Sequence, residues 1–236
     1  MKIGIGVTTY NRPKQLELWK KQMDRKCMIN IPYGPNDIYI HIADDSTDRK
    51  GIAHRKNECL KALKNCDYIF LFDDDCFPIK EGWAEFIIEA SKVSGQQHMM
   101  YLKETPTIKA IGKLRDTVNE KDIIVEYNNC AGCMMFLTKE VIEKVGAYNP
   151  AYGFYGYEHA GYSNRIHAAG LTPFGKYTCP SGLGDYIYSM DYDFHLPFNK
   201  RVNHEPSLKN EFHLLESYLK KNKEVYDADI QIYQPL

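Results

Sequence analysis

No stretch of about 18 apolar residues occurs in this 236-residue chain, so no segment has the length and polarity to cross a bilayer as a helix. No sign of charge dominates either. Against 30 Lys and Arg stand 31 Asp and Glu, a formal net charge of -1 and a pI near 6.7, which gives no overall pull toward nucleic acid or an anionic membrane. Cysteine is present without a framework: seven residues are scattered at 27, 59, 66, 76, 130, 133 and 179, an odd set for which reduced thiols are expected rather than a disulfide scaffold. Cys130 and Cys133 have C-x-x-C spacing, but no second pair accompanies them and a structural zinc normally takes four ligands, so NNCAGCMMFL reads as a turn entering a buried strand. Internal repeats and low-complexity runs are missing. The opening MKIGIGVTTYNRP passes straight into a short apolar strand, and the expectation is a cytoplasmic protein, with a peripheral place at a membrane surface as the variant. Near that start there is no glycine-rich phosphate loop with a basic residue, which argues against a nucleotidyltransferase or another nucleotide-binding enzyme built on such a loop.

What the chain does have is enough apolar material for a core, 44% hydrophobic and 26% charged residues, and an alternation of strand and helix signals through its first half. The patterns predict strands over 3–8, 37–43 and 68–72, and helices over 13–26, with proline in the first turn, and 53–64. Residues 81–93 carry Trp83, Phe86, Ile87 and Ala90 on one helical face, a stripe that reads as core. Residues 101–127 mix charges and read as a solvated strand-and-loop excursion. An apolar strand resumes at 134–137, and Thr138, Lys139 and Glu140 open a helix to Val145 in a capping-like pattern that stops at Gly146. A Tyr/Gly-rich loop covers 148–157. Residues 207–226 read as an amphipathic helix bearing Leu208, Phe212, Leu215 and Leu219, with Lys220, Lys221 and Lys223 placed to suit the dipole at its C-terminal end.

The densest chemical signal is Asp73, Asp74 and Asp75, directly after the apolar run Tyr68, Ile69, Phe70, Leu71 and Phe72. Three carboxylates at one strand end repel unless something cationic sits among them. A hard divalent ion such as Mg²⁺ or Mn²⁺ fits oxygen-only ligands and takes substrate phosphates in its other positions, so the run reads as a metal–diphosphate site. A solvated acidic turn is the plain alternative. Three predicted strands end in polar residues, at Thr8/Thr9, Asp44/Asp45 and Asp73 to Asp75, and ligands of open α/β sheets bind outside the carboxyl ends of strands, so these ends should meet at one crevice.

Four segments, GVTTYNRP (6–13), IADDSTD (42–48), FLFDDDCFP (70–78) and GYEHAGYSNRIHAAGL (156–171), occur in the order seen in nucleotide-sugar glycosyltransferases of the GT-A fold, and over roughly residues 1–175 the chain resembles a family 2 glycosyltransferase. The resemblance implies a single GT-A domain over 1–236, a mostly parallel mixed sheet flanked by helices. Its expected parts are a nucleotide-sugar-binding half (1–100), an acceptor-binding half (101–205) and a C-terminal helix and tail (206–236). It implies transfer from a nucleoside-diphosphate sugar, a UDP-sugar first among them, to an acceptor hydroxyl with inversion. The acceptor would be a saccharide or glycoconjugate. Modified DNA is the variant, which the near-neutral charge does not favour.

By the same resemblance Thr8, Thr9, Tyr10 and Arg12 line the nucleotide pocket. Asp45, with Asp44 beside it, holds the nucleobase, although the run Asp44 to Asp48 also reads as an Asx-rich turn. Arg55, with Lys56 and Asn57, stands where a cation meets the donor; the cautious alternative is a solvated helix face. Asp73 and Asp74 hold ribose or metal-bound water. Asp75, with Asp73, ligates Mn²⁺ or Mg²⁺. His195 or His204 would supply a metal ligand from the C-terminal side. In the fourth segment Glu158, His159, Ala160 and Gly161 depart from the Glu-Asp pattern of the family, Arg165 is retained, and the usual base position falls on His159 with Glu158 as its rival. Tyr152 to Tyr157 is placed to stack on an acceptor sugar. The altered motif also admits an inactive nucleotide-sugar or glycan-binding module.

Overall fold

The computed structural model describes residues 1–27, 38–116, 120–195, 212–229 and 231–236, with backbone alone at 25–27, 193–195 and 212. Strand β1 (Ile3–Thr9) is buried along its whole length because it lies between two parallel neighbours, β2 (Ile38–Asp44) and β3 (Tyr68–Asp73). A strand covered on both faces is apolar throughout instead of alternating. Helix α1 (Pro13–Cys27) links β1 to β2, and α2 (Ile52–Leu63) links β2 to β3. Across the register Thr8 stands opposite both Ala43 and Asp73, and Thr9 opposite Asp44. The three polar strand ends therefore meet at one edge, as the alternation of elements had indicated.

Beyond β3 come the short β4 (Cys76–Pro78), helix α3 (Trp83–Ser94) and β5 (His98–Met100). Trp83 stands edge-on to Phe70 and Phe72 at 4.8 and 5.6 Å between ring centres, so the helix stripe is core as its periodicity required. Strands β6 (Ala110–Asp116) and β7 (Lys121–Tyr127) pair antiparallel, and β8 (Met134–Thr138) returns to the main sheet. The sheet order is β2-β1-β3-β8-β5, with β8 antiparallel to both neighbours. The fold is thus mixed α/β around a mostly parallel sheet. Helix α4 (Lys139–Lys144) follows β8 and α5 (Glu158–Ala168) follows the aromatic loop; β9 (Thr178–Pro180) pairs with β7, and β10 (Ile187–Ser189) with β4. Helix α6 (Leu215–Ala228) forms the C-terminal segment; the earlier part of the predicted 207–226 helix lies outside the described residues, as does Asp37. Thr138 does not cap α4: its hydroxyl donates to Gln97 Oε1 at 2.8 Å. Among the described residues no helix is long and apolar enough to cross a membrane.

Candidate active site

At the carboxyl ends of β1, β2 and β3 lies an open cleft, where ligands of open α/β sheets bind. Thr8, Thr9, Tyr10, Arg12, Asp45, Arg55, Asp73, Glu158 and His159 line it together with Arg49, Ile52, Phe154 and Tyr155. Eleven residues singled out in the sequence, Phe154 and Tyr155 of the aromatic loop among them, thus converge, although they come from segments as far apart as Thr8 and His159.

The triple aspartate is neutralised partly by the chain itself. Arg12, itself buried, pairs with Asp74 and donates to Asp75 at 2.8 Å. Lys56 is fully buried and reaches Asp73 at 2.9 Å and the Gly132 carbonyl at 3.1 Å. Where the sequence left the cationic partner to a metal and treated residues 55–57 as a possible solvated face, two side chains of the protein stand among the acids. A fourth carboxylate, Asp191, follows β10 and was not anticipated. The backbone places it there, since Met190 N–H donates to the Asp75 carbonyl at 3.0 Å. Burial, then Asp75 and Asp73, pushes Asp191 up to about 8, and burial pushes Asp74 up to about 7 against the pull of Arg12. Four carboxyl groups face two cations, and burial and mutual repulsion hold two of the four toward the protonated form, a tendency that a divalent ion would reverse by favouring their charge. The acids fit such an ion in charge and donor type. Yet no group of three or more His, Cys, Asp or Glu among the described residues is arranged to ligate one. The side chain of His195, and His204 entirely, lie outside the described residues.

The Asp45 carboxylate faces the cleft while serving the start of α2. It accepts from the backbone N–H of Lys50 at 2.7 Å and of Gly51 at 3.0 Å, and from Arg55 Nε at 2.9 Å, which places negative charge at a helix N-terminus. Arg55 also pairs with Asp48 and Glu58, so its guanidinium braces the 45–58 turn. Asp44 is exposed and accepts from Ser46 N–H and hydroxyl, the Asx turn that the run also allowed. Asn57 does not face the cleft, since its side chain bonds both the N–H and the carbonyl of Tyr148. Asp74 and Asp75 lie behind the lining. The Arg49 guanidinium lies over the Tyr10 ring at 3.6 Å and the Phe154 ring at 4.9 Å, a contact that no local pattern in the sequence signals.

On the opposite wall α5 begins with Glu158 and His159. His159 Nε2 lies 2.9 Å from Glu158 Oε1. Its ring rests on Gly132 so closely that a Cβ there would fall 1.8 Å from His159 Cδ2. His159 Nδ1 and Glu158 Oε2 are buried with no hydrogen-bond partner among the described residues. Burial alone would raise the Glu158 carboxyl, but His159 beside it and the more distant Lys56 outweigh burial and hold it below the usual carboxylate range. An ionised Glu158 accepting from Nε2–H leaves Nδ1 as a free acceptor, the arrangement of an oriented general base. Arg165 of α5 points away, to the carbonyls of Ala147 and Ile232.

Residues 112–190 match the family described as the N-terminal domain of galactosyltransferase. An uncharacterized glycosyltransferase of Acanthamoeba polyphaga mimivirus is 28% identical over 198 residues, covering 73% of this chain and 76% of that protein. Over these spans the chain is similar in sequence to glycosyltransferases, in keeping with its four sequence motifs. Among solved structures, the Drosophila β1,4-galactosyltransferase 7, as a mutant in complex with manganese, UDP-Gal and xylobiose, superposes with a TM-score of 0.49 at 17% identity, covering 92% of this chain and 79% of that one. TarS of S. aureus in complex with UDP gives a TM-score of 0.49 at 10% identity, over 72% of this chain and 56% of that one.

Proposed function

We propose that this cleft transfers a sugar from a nucleoside-diphosphate sugar, a UDP-sugar, to a hydroxyl of a saccharide or glycoconjugate, with inversion at the anomeric carbon. The observation that carries the reading is the Glu158–His159 pair, with an unpartnered imidazole nitrogen, on the wall facing Thr8, Thr9, Tyr10, Asp45 and Asp73. The first four of these and Arg12 surround the nucleotide, and the aromatic loop covers the acceptor. His159 Nδ1 takes the acceptor hydroxyl proton as the oxygen attacks the anomeric carbon and the bond to the diphosphate breaks. Glu158 holds the ring by Nε2–H and stabilises the imidazolium that forms. A Mn²⁺ or Mg²⁺ ion held by Asp75 and Asp73, with Asp191 at hand, would supply Lewis-acid stabilisation of the departing nucleoside diphosphate. The depressed carboxyl of Glu158 makes it the weaker base of the two, which favours His159 for that role.

Calorimetric titration with UDP, with and without Mn²⁺, on wild type and Asp75→Ala tests the donor site. Metal-dependent binding that is lost in Asp75→Ala is the expected result. Release of UDP from UDP-galactose with a panel of saccharide acceptors tests transfer, galactose coming first because the matched family is described as a galactosyltransferase one. His159→Ala should lower that release by about 10²–10⁴-fold. UDP binding without turnover of any UDP-sugar would leave a binding module instead, and no nucleotide binding at all would sink the donor-site reading.

A further inference from the structure

The aromatic loop that covers the cleft is held from behind by the C-terminal helix, through one side chain. Asn222 of α6 is 1% exposed. Its Oδ1 accepts from Gly153 N–H at 2.8 Å, and its Nδ2 donates to the carbonyls of Tyr155 and Gly156, both at 2.9 Å. A single amide thus commits its acceptor and both donors to three residues of the loop. Around it the same helix face follows the loop residue by residue. Tyr218 stands edge-on to Phe154 at 5.3 Å and Tyr226 packs on Tyr157 at 5.4 Å. Leu219 presses so near Gly156, which sits at φ 94, that a Cβ there would lie 2.5 Å from Leu219 Cδ2. Residues 218, 219, 222 and 226 share one stripe of a helix.

What this clamp fixes matters for chemistry. Phe154 and Tyr155 line the cleft, and Tyr157, at φ 68, is the residue from which α5 starts without any side-chain cap. A non-glycine residue in the left-handed region persists only where its surroundings hold it. The next two residues are Glu158 and His159. We infer that Asn222, which does not itself line the cleft, is a positioning residue for the transfer step: it sets the aromatic loop, and through the start of α5 the Glu158–His159 pair. The inference rests on the transferase reading for its catalytic half and on geometry alone for its loop-fixing half.

The test uses the full chain as wild type, Asn222→Ala and the near-isosteric Asn222→Asp, which keeps the volume but loses both donors. Amide hydrogen exchange, UDP titration with Mn²⁺, and UDP release from UDP-galactose with acceptor are compared. In both variants exchange at residues 153–161 should rise about tenfold or more, two hydrogen bonds being lost in Asn222→Asp and three in Asn222→Ala, while β1 and β3 exchange as in wild type. The kcat for release should fall about tenfold with UDP affinity unchanged. Unchanged loop exchange, or UDP affinity falling in step with rate, would overturn the inference, because α6 would then be no anchor or merely a support of the whole fold. A wild type that binds UDP but turns over no donor would remove the transferase reading and the catalytic half together, while the exchange measurement still decides whether Asn222 fixes the loop.

Discussion

Gly132→Ala offers a direct test of the acceptor wall, because the added methyl has nowhere to go. Its Cβ would lie 1.8 Å from His159 Cδ2, 1.9 Å from Nε2 and 2.1 Å from Cγ, against about 3.5 Å or more for carbon atoms in contact. The ring must therefore retreat by about 1.5 Å, and the 2.9 Å approach of Nε2 to Glu158 cannot survive such a shift unaltered. A misplacement of about 1 Å in a reacting group costs on the order of 10²-fold, and complete loss of a general base about 10²–10⁴-fold. The variant should fall in that range in UDP release from a UDP-sugar. Overpacking should cost about 1–3 kcal/mol in chemical denaturation. UDP affinity should hold, since Thr8, Thr9, Tyr10 and Arg12 are untouched. If the glycine acts only through the imidazole, the double variant Gly132→Ala/His159→Ala should be no slower than His159→Ala alone. Full activity in Gly132→Ala, or additive losses in the double variant, would refute the assignment of His159 as an oriented base.

Asp45→Ala should cost about 3 kcal/mol in urea unfolding, because it strips the acceptor from two N–H groups at the start of α2 and leaves buried Arg55 with one carboxylate fewer; a loss below about 1 kcal/mol would mean that Asp48 and Glu58 suffice for Arg55. Lys56→Met should lower both stability and UDP release by unpairing Asp73 and freeing the Gly132 carbonyl, and a thermal melt and rate equal to wild type would contradict that role. Acid sensitivity is expected at His98, which lies fully buried between the Phe136 carbonyl and the Ser163 hydroxyl and is held down by burial to about 4 from an ordinary 6.5. The unfolded chain takes up that proton below about pH 6.5 and the folded one only near 4, so the stability it lends is full above the first value and declines toward the second, by about 3 kcal/mol at most. Melting temperature followed from pH 7 to 4 should drop less steeply in His98→Asn, and parallel slopes would exclude His98 as the sensor.

The first three strands and their polar ends were legible because their signals are local. The burial of β1 and β3, the period of α3 and the polar strand ends all follow from residues a few positions apart, and the 101–127 excursion is strand and loop as read, although Tyr101, Leu102, Ile108 and Ile124 are buried where solvation was expected. The short strands β4, β5, β9 and β10 were not legible, since three residues carry no period and their partners lie 35–113 positions away. Asp191 was missed for the same reason: it reaches the acids only through the pairing of β10 with β4. Asn222 looked like any polar residue of an amphipathic helix, and only the packing of α6 on the loop gives it partners. The run of acids at the end of β3 was visible in the sequence, but its chain-borne partners Arg12 and Lys56 come from the approach to α1 and from α2, so a metal alone had seemed to be required.

The reversed strand β8 has a further consequence. It lies beside β5, with Met100 opposite Met135 and Tyr101 N–H donating to the Met134 carbonyl at 3.0 Å, while Asp73 N–H donates to the Cys133 carbonyl at 2.8 Å. The chain therefore leaves the sheet after Met100 and re-enters it at an adjacent rung, already in place beside the acidic strand end. Everything in between leaves and returns at neighbouring rungs, and is held again farther out, where β7 pairs with β9 and Ile124 is buried in the core. Changes confined to β6, the edge strand of that outer sheet, would alter the rim of the excursion while the sheet register and the acids stay where they are.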